Sequence, residues 1–118
     1  MAIQKWSKKI LVVDLSDDPQ FTDDIIGLTD ALEGQPNDVA LNFAAVGFIN
    51  SSDIAKILRL RKIMMTIGRR LIICGVNTQI WGVFMVTGLD KIFEFTNDVS
   101  TALATLQLAE SPGARNTK

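Results

Sequence analysis

Residues 47–54, GFINSSDI, set an asparagine, two serines and an aspartate between an apolar run and an amphipathic one. Side chains of these types at such a boundary accept hydrogen bonds from the open N–H groups of a helix start, and a serine hydroxyl there can also take a phosphoryl group. Capping by one of them is worth about 0.5–2 kcal/mol. It does not account for two hydroxyls plus an asparagine. If Asn50 caps with Asp53 at its third position, the two form a capping box, and Ser51 becomes redundant at the helix mouth, where a kinase could reach it. A nucleophilic role for either serine fits poorly. The chain has no histidine, and it shows neither the elbow GxSxG nor a phosphate loop of the GxxxxGK type. The expectation is a non-enzyme with no cofactor and no metal site.

The rest of the chain must supply a scaffold for that mouth. At 118 residues, 47% hydrophobic and 21% charged, it fits one packed domain, expected over residues 1–109 with a frayed tail, ESPGARNTK, over 110–118. No stretch approaches the roughly 20 apolar residues of a membrane span, so membrane insertion is not expected and a cytoplasmic setting is. Cys74 lies alone within LIICGV and reads as a small buried hydrophobe. A net charge of −1 argues against nucleic acid, which selects a positive surplus. The charge is nevertheless polarised: eight of 13 acids fall between Asp14 and Asp38, and six of 12 bases between Lys56 and Arg70.

KILVVDL predicts a buried strand stopped by SDDPQ, and Phe21, Ile25, Leu28 and Leu32 mark one face of a helix ended by Gly34 and Pro36. A strand VALNFAAVGFI, a helix from Ser51 to Ile67 stopped by Gly68, and a strand LIICGV follow. A helix over residues 78–87, a short strand IFEF and a last helix over 99–108 complete the series, with an edge strand in AIQKWS left open. Strands alternating with helices imply an α/β fold: one mostly parallel sheet of about four to five strands with four helices. A helical wheel of residues 54–67 puts Ile54, Ile57, Leu58, Met64 and Met65 toward the core, with Arg61 inside that stripe. Lys56, Arg59, Leu60, Ile63 and Ile67 face outward, a mixed basic and apolar surface suited to a protein partner with an acidic rim. On the third helix Trp81 and Met85 lie opposite Ile80, Val83, Phe84 and Thr87. They mark either a deeply buried helix or an exposed patch for self-association or a second partner.

The order of elements, together with GFINSSDI, RRLIICGV and VTGLDKIFEF, resembles the STAS domain, the family named for sulfate transporters and anti-sigma factor antagonists. The resemblance runs from about Lys9 to Leu108. It implies a regulator that binds a kinase-like anti-sigma factor through the loop of Asn50, Ser52 and Asp53, switched by phosphorylation of the first serine of the signature, here Ser51. Asn50 stands where the family usually has aspartate, and Asp53 where it usually has glycine. Two other readings remain open. One is a non-phosphorylated STAS subunit of a larger complex, for example beside a transporter ATPase; the other is a nucleotide- or lipid-binding module.

Overall fold

Four consecutive residues, Ile10, Leu11, Val12 and Val13, are all buried, so their strand must be covered on both faces. In the computed structural model, which describes residues 3–110, that strand is β2 (Ile10–Ser16), second in a five-stranded sheet. The order is β1 (Ile3–Lys5), β2, β3 (Asp38–Ala45), β4 (Leu71–Cys74) and β5 (Glu94–Thr96). β1 pairs antiparallel with β2, and every later pair is parallel. The parallel steps cross through α1 (Gln20–Gly34), α2 (Ser51–Ile67) and α3 (Thr78–Thr87), while α4 (Val99–Glu110) follows β5. Two cores result. One packs Phe21, Leu28, Ile57, Leu60, Met64 and Phe84 of the crossover helices on Val13, Leu41, Phe43 and Ile73. The other packs Ala102, Leu103 and Leu106 of α4 on Ile10, Val12, Ala40 and Ile72 from the opposite face. Among the described residues no helix is long and apolar enough to cross a membrane.

Local chemistry fixes where these elements stop. Gly68 ends α2 at φ 71°, in the left-handed region, as its sequence position implied. Gly75 turns the chain out of β4 at φ 74°, and a Cβ there would stand 2.9 Å from Asn42 Oδ1 and 3.2 Å from the Ala44 backbone N. Cys74 is buried, its Sγ donating to the Leu41 carbonyl at 3.4 Å, and burial pushes the thiol up to about 11.

Three sequence expectations shift. The strand expected over 39–49 ends at Ala45; residues 46–50 form a loop because β4 ends at Cys74 opposite Asn42 and β2 ends at Ser16 opposite Ala45. IFEF contributes only Glu94 and Phe95 to a strand that ends at Thr96. The face of α2 is rotated: Asp53, Ile57, Leu60 and Met64 are buried, while Leu58 and Met65 are 39% and 64% exposed. Leu60, expected at the partner surface, is thus a core residue, 1% exposed. The helix packs against α1 as well as the sheet, so its buried arc is centred on the line 53–57–60–64 rather than on the most apolar arc of the wheel. Arg61, half-buried, donates its Nε–H to the Ile92 carbonyl at 3.3 Å, holding polar contact along the side where the wheel had placed the core. The expected edge strand in AIQKWS exists as β1. Of the tail expected over 110–118, Glu110 ends α4, and residues 111–118 lie outside the described residues.

Leu60→Ala should therefore cost about 2–5 kcal/mol of unfolding free energy through the cavity it leaves. Leu58→Ala should change stability by no more than about 0.5 kcal/mol. Urea unfolding of both variants checks the phase of α2; comparable losses in the two would refute it.

Candidate functional site

The mouth of α2 is built by the capping box that the sequence suggested. Asn50, extended at φ −114°, accepts from Asp53 N at 2.8 Å through its side chain, while Asp53 Oδ2 accepts from Asn50 N at 3.2 Å. Both box positions are occupied without either serine. Ser51 is exposed and its hydroxyl makes no hydrogen bond among the described residues. Ser52 is exposed too, but its Oγ accepts from Lys56 Nζ at 2.7 Å, one turn along the helix. The loop leading into the box is fastened from two sides. Asp17 Oδ1 accepts from Gly47 N at 2.8 Å, and Asn77, the N-cap of α3, donates through Nδ2 to the carbonyls of Val46 and Gly47.

Asp53 does not face the solvent. It is 3% exposed, its Oδ1 accepts from no donor among the described residues, and the carboxyl beside it is that of Asp18, in the loop before α1. Burial, followed by that neighbouring carboxyl, pushes Asp53 above the usual aspartate range, against the pull of the Asn50 N–H. Asp18 moves the other way, because the Thr22 hydroxyl at 2.7 Å and then Asp53 itself hydrogen-bond its ionised form. The two titrate as one unit, with the more tightly held proton on Asp53.

The STAS domain family model matches residues 2–102. The chain belongs to the STAS domain family. Three solved structures share its fold at low identity. An anti-sigma-factor antagonist (STAS) domain protein from Planctomyces limnophilus is 19% identical at a TM-score of 0.76, with 89% of this chain and 97% of that one covered. RsbS of Moorella thermoacetica, bearing a serine-to-glutamate substitution, is 13% identical at 0.77, with 94% and 100% covered. The Bacillus cell fate determinant SpoIIAA in its phosphorylated form is 16% identical at 0.70, with 87% and 96% covered.

In this STAS domain Asn50, Ser51, Ser52, Asp53 and Lys56 converge at the α2 mouth, although Asp53 serves from inside rather than as an exposed contact. Arg59 and Leu60 continue along α2 to a groove shared with α1, Arg59 exposed and Leu60 forming part of its floor. Ile63 is half-buried and lines neither this groove nor the mouth. Trp81 and Met85 lie on α3, 37% and 54% exposed, so this side of the helix is not deeply buried. Trp81 packs edge-to-face on Phe95 and lines a separate cavity of about 360 Å³ with Thr78 and Asn97.

Sequence reasoning missed four residues. Phe48, 65% exposed in the loop before the box, was assigned to a strand, although Gly47 before it was a signal for irregular backbone. Asp17 and Asp18 were read as strand stops, and only the fold brings them to the mouth. Ile26, 55% exposed on α1, lies outside the helical stripe that marked the core and carried no signal of its own.

The Asp18–Asp53 pair makes a pH prediction. A carboxyl whose folded pKa is raised binds its proton more tightly when folded, so its contribution is full below the ordinary aspartate range and is lost as pH rises through the raised value. Asp18, lowered, contributes in the opposite sense, its share being lost on acidification. Asp53→Asn keeps an oxygen for the Asn50 N–H and gains an amide donor toward Asp18. It should raise the melting temperature at neutral pH and flatten its decline above the ordinary aspartate range, whereas Asp53→Ala should lower the melting temperature. Equal losses in the two variants, measured by thermal melts from pH 3 to 8, would contradict the paired arrangement.

Proposed function

We propose that this STAS domain is a regulatory protein-binding module of the anti-sigma factor antagonist kind, which binds a kinase-like anti-sigma factor and is switched by phosphorylation of Ser51. The observation that carries this reading is a complete capping box that leaves the Ser51 hydroxyl exposed and without a partner. A phosphate there would add about −1.5 to −2 of charge at a helix N-terminus, which favours anions, so the domain should stay folded. The consequence falls on the partner, which would have to desolvate that charge to close over the loop. Support for a tolerated mark comes from SpoIIAA, an anti-sigma factor antagonist solved in unphosphorylated and phosphorylated forms, both sharing this fold.

Asp53, in the position where the family usually has glycine, would otherwise count against the cycle as a standing negative charge beside the serine. Its side chain is buried, and the carboxylate that faces solvent beside the box is that of Asp18. The unmodified mouth offers a partner the Ser51 hydroxyl, the Lys56 ammonium and the Phe48 ring, with the exposed Asp17 and Asp18 beside them.

Incubation with the cognate kinase and ATP, read by mass spectrometry, should place one phosphate on Ser51 and none on Ser51→Ala. Ser51→Asp should weaken partner binding more than tenfold, about 1.4 kcal/mol, with little change in melting temperature. Phosphate elsewhere, or nowhere, would hand the role to a constitutive subunit of a larger complex.

A further inference from the structure

Between α1 and α2 the core is open to solvent along a groove of about 220 Å³. Ile25 and Leu60 form its floor at 5% and 1% exposure, and Ile26 stands beside them with 55% of its surface exposed. Small-molecule pockets begin at roughly 300 Å³, so this space suits a protein side chain better than a free ligand. Its α2 wall carries Lys56 and Arg59, and Arg59 has no ion pair among the described residues. An exposed aliphatic residue beside two cations on one wall is complementary to an apolar side chain flanked by carboxylates. The α1 wall carries Asp30, so the acidic flank belongs on the α2 side. The groove is also continuous with the mouth, because Lys56 on its wall is the residue whose Nζ donates to Ser52 Oγ at 2.7 Å.

We infer that this groove docks an apolar segment of the partner that bears carboxylates on its α2-facing flank, and that Lys56 couples its occupancy to the serine mouth. The inference rests on the protein-binding reading above and specifies its contact chemistry. A phosphate on Ser51 would be a stronger counter-ion for Lys56 than the Ser52 hydroxyl and the neighbouring Asp18 carboxylate are. The ammonium would then be drawn from the groove wall while new negative charge met the incoming carboxylates. Phosphorylation thus weakens docking by removing attraction and adding repulsion, with no change of fold. The cavity at Trp81 and Phe95, lined by Asn77, Thr78, Thr96 and Asn97, has no charged side chain with which to register the mark.

The test uses the full chain, isotopically labelled for NMR, and three synthetic helical peptides with the same leucine stripe and one flank of glutamate, glutamine or lysine. The glutamate peptide should shift the amides of residues 25–30 and 56–60 and bind at least tenfold more tightly than the lysine peptide, with the gap narrowing in salt. Arg59→Glu should cost the glutamate peptide at least tenfold while circular dichroism stays unchanged, and Ile26→Ala should weaken all three peptides. Equal affinities, shifts confined to α3, or no shifts at millimolar peptide would overturn the docking site. For the coupling, Ser51→Asp should weaken the glutamate peptide less in a Lys56→Gln background than in the wild type; additive effects would overturn it. No kinase enters this assay, so its failure is distinct from a failure of Ser51 phosphorylation.

Discussion

The start of α2 is the constraint on which the rest of the site depends. A helix that begins at the carboxyl end of a central strand leaves N–H donors facing the protein's own loops, and they must be closed locally. Asn50 and Asp53 close them together, and every other feature of the mouth follows from that choice. Because the box is complete, both hydroxyls between its members are left over for the surface, Ser52 accepting from Lys56 and Ser51 exposed. Because Asp53 closes it from the buried side, a carboxyl enters the interior, where burial and the neighbouring Asp18 favour its protonated form. The loops after β2, β3 and β4 are then bound to one another, through Asp18 against Asp53, Asp17 on Gly47, and Asn77 on the Val46 and Gly47 carbonyls. A surface that must present one serine in one geometry is held by three loops rather than one.

The fold also sorts the charges that look like a single basic block in the sequence. Arg69 pairs with Asp38 at 3.1 Å, and Arg70 takes Glu94 with its side chain and Asp38 with its backbone N–H. These contacts lie at the amino ends of β3, β4 and β5, at the opposite edge of the sheet from the α2 mouth. They fix strand ends and are not offered to a partner. Lys56 and Arg59 are separated from them along α2 and line the groove instead. Half-exposed ion pairs of the Arg70–Glu94 kind add little stability individually. Their effect is positional, holding the short β5 edge in register beside β4.

Much of the architecture was legible because it rests on short-range rules. The apolar runs of β2 and β4, the stripe Phe21–Ile25–Leu28–Leu32, the stop at Gly68 and the capping pair Asn50–Asp53 are all decided by neighbours within a turn or two. So was the release of both serines from capping, since a box satisfied by residues three apart leaves the two between them without a capping role whatever packs around them. Strands alternating with helices then restrict the sheet to a mostly parallel order, because each crossover must return to the same side.

What the sequence could not decide is which side of α2 faces inward, and which distant groups meet at its mouth. A helical wheel ranks arcs by composition, whereas burial on α2 is set by two surfaces at once, the sheet and α1. That second surface places Leu60 in the core and sends Leu58 and Met65 outward. The meeting of Asp18 with Asp53 and the hold of Asn77 on the serine loop join residues about 30 positions apart. No periodicity reports such pairs. They exist because parallel strands bring the starts of successive helices to one edge of the sheet, and only the assembled sheet puts those side chains within hydrogen-bonding distance.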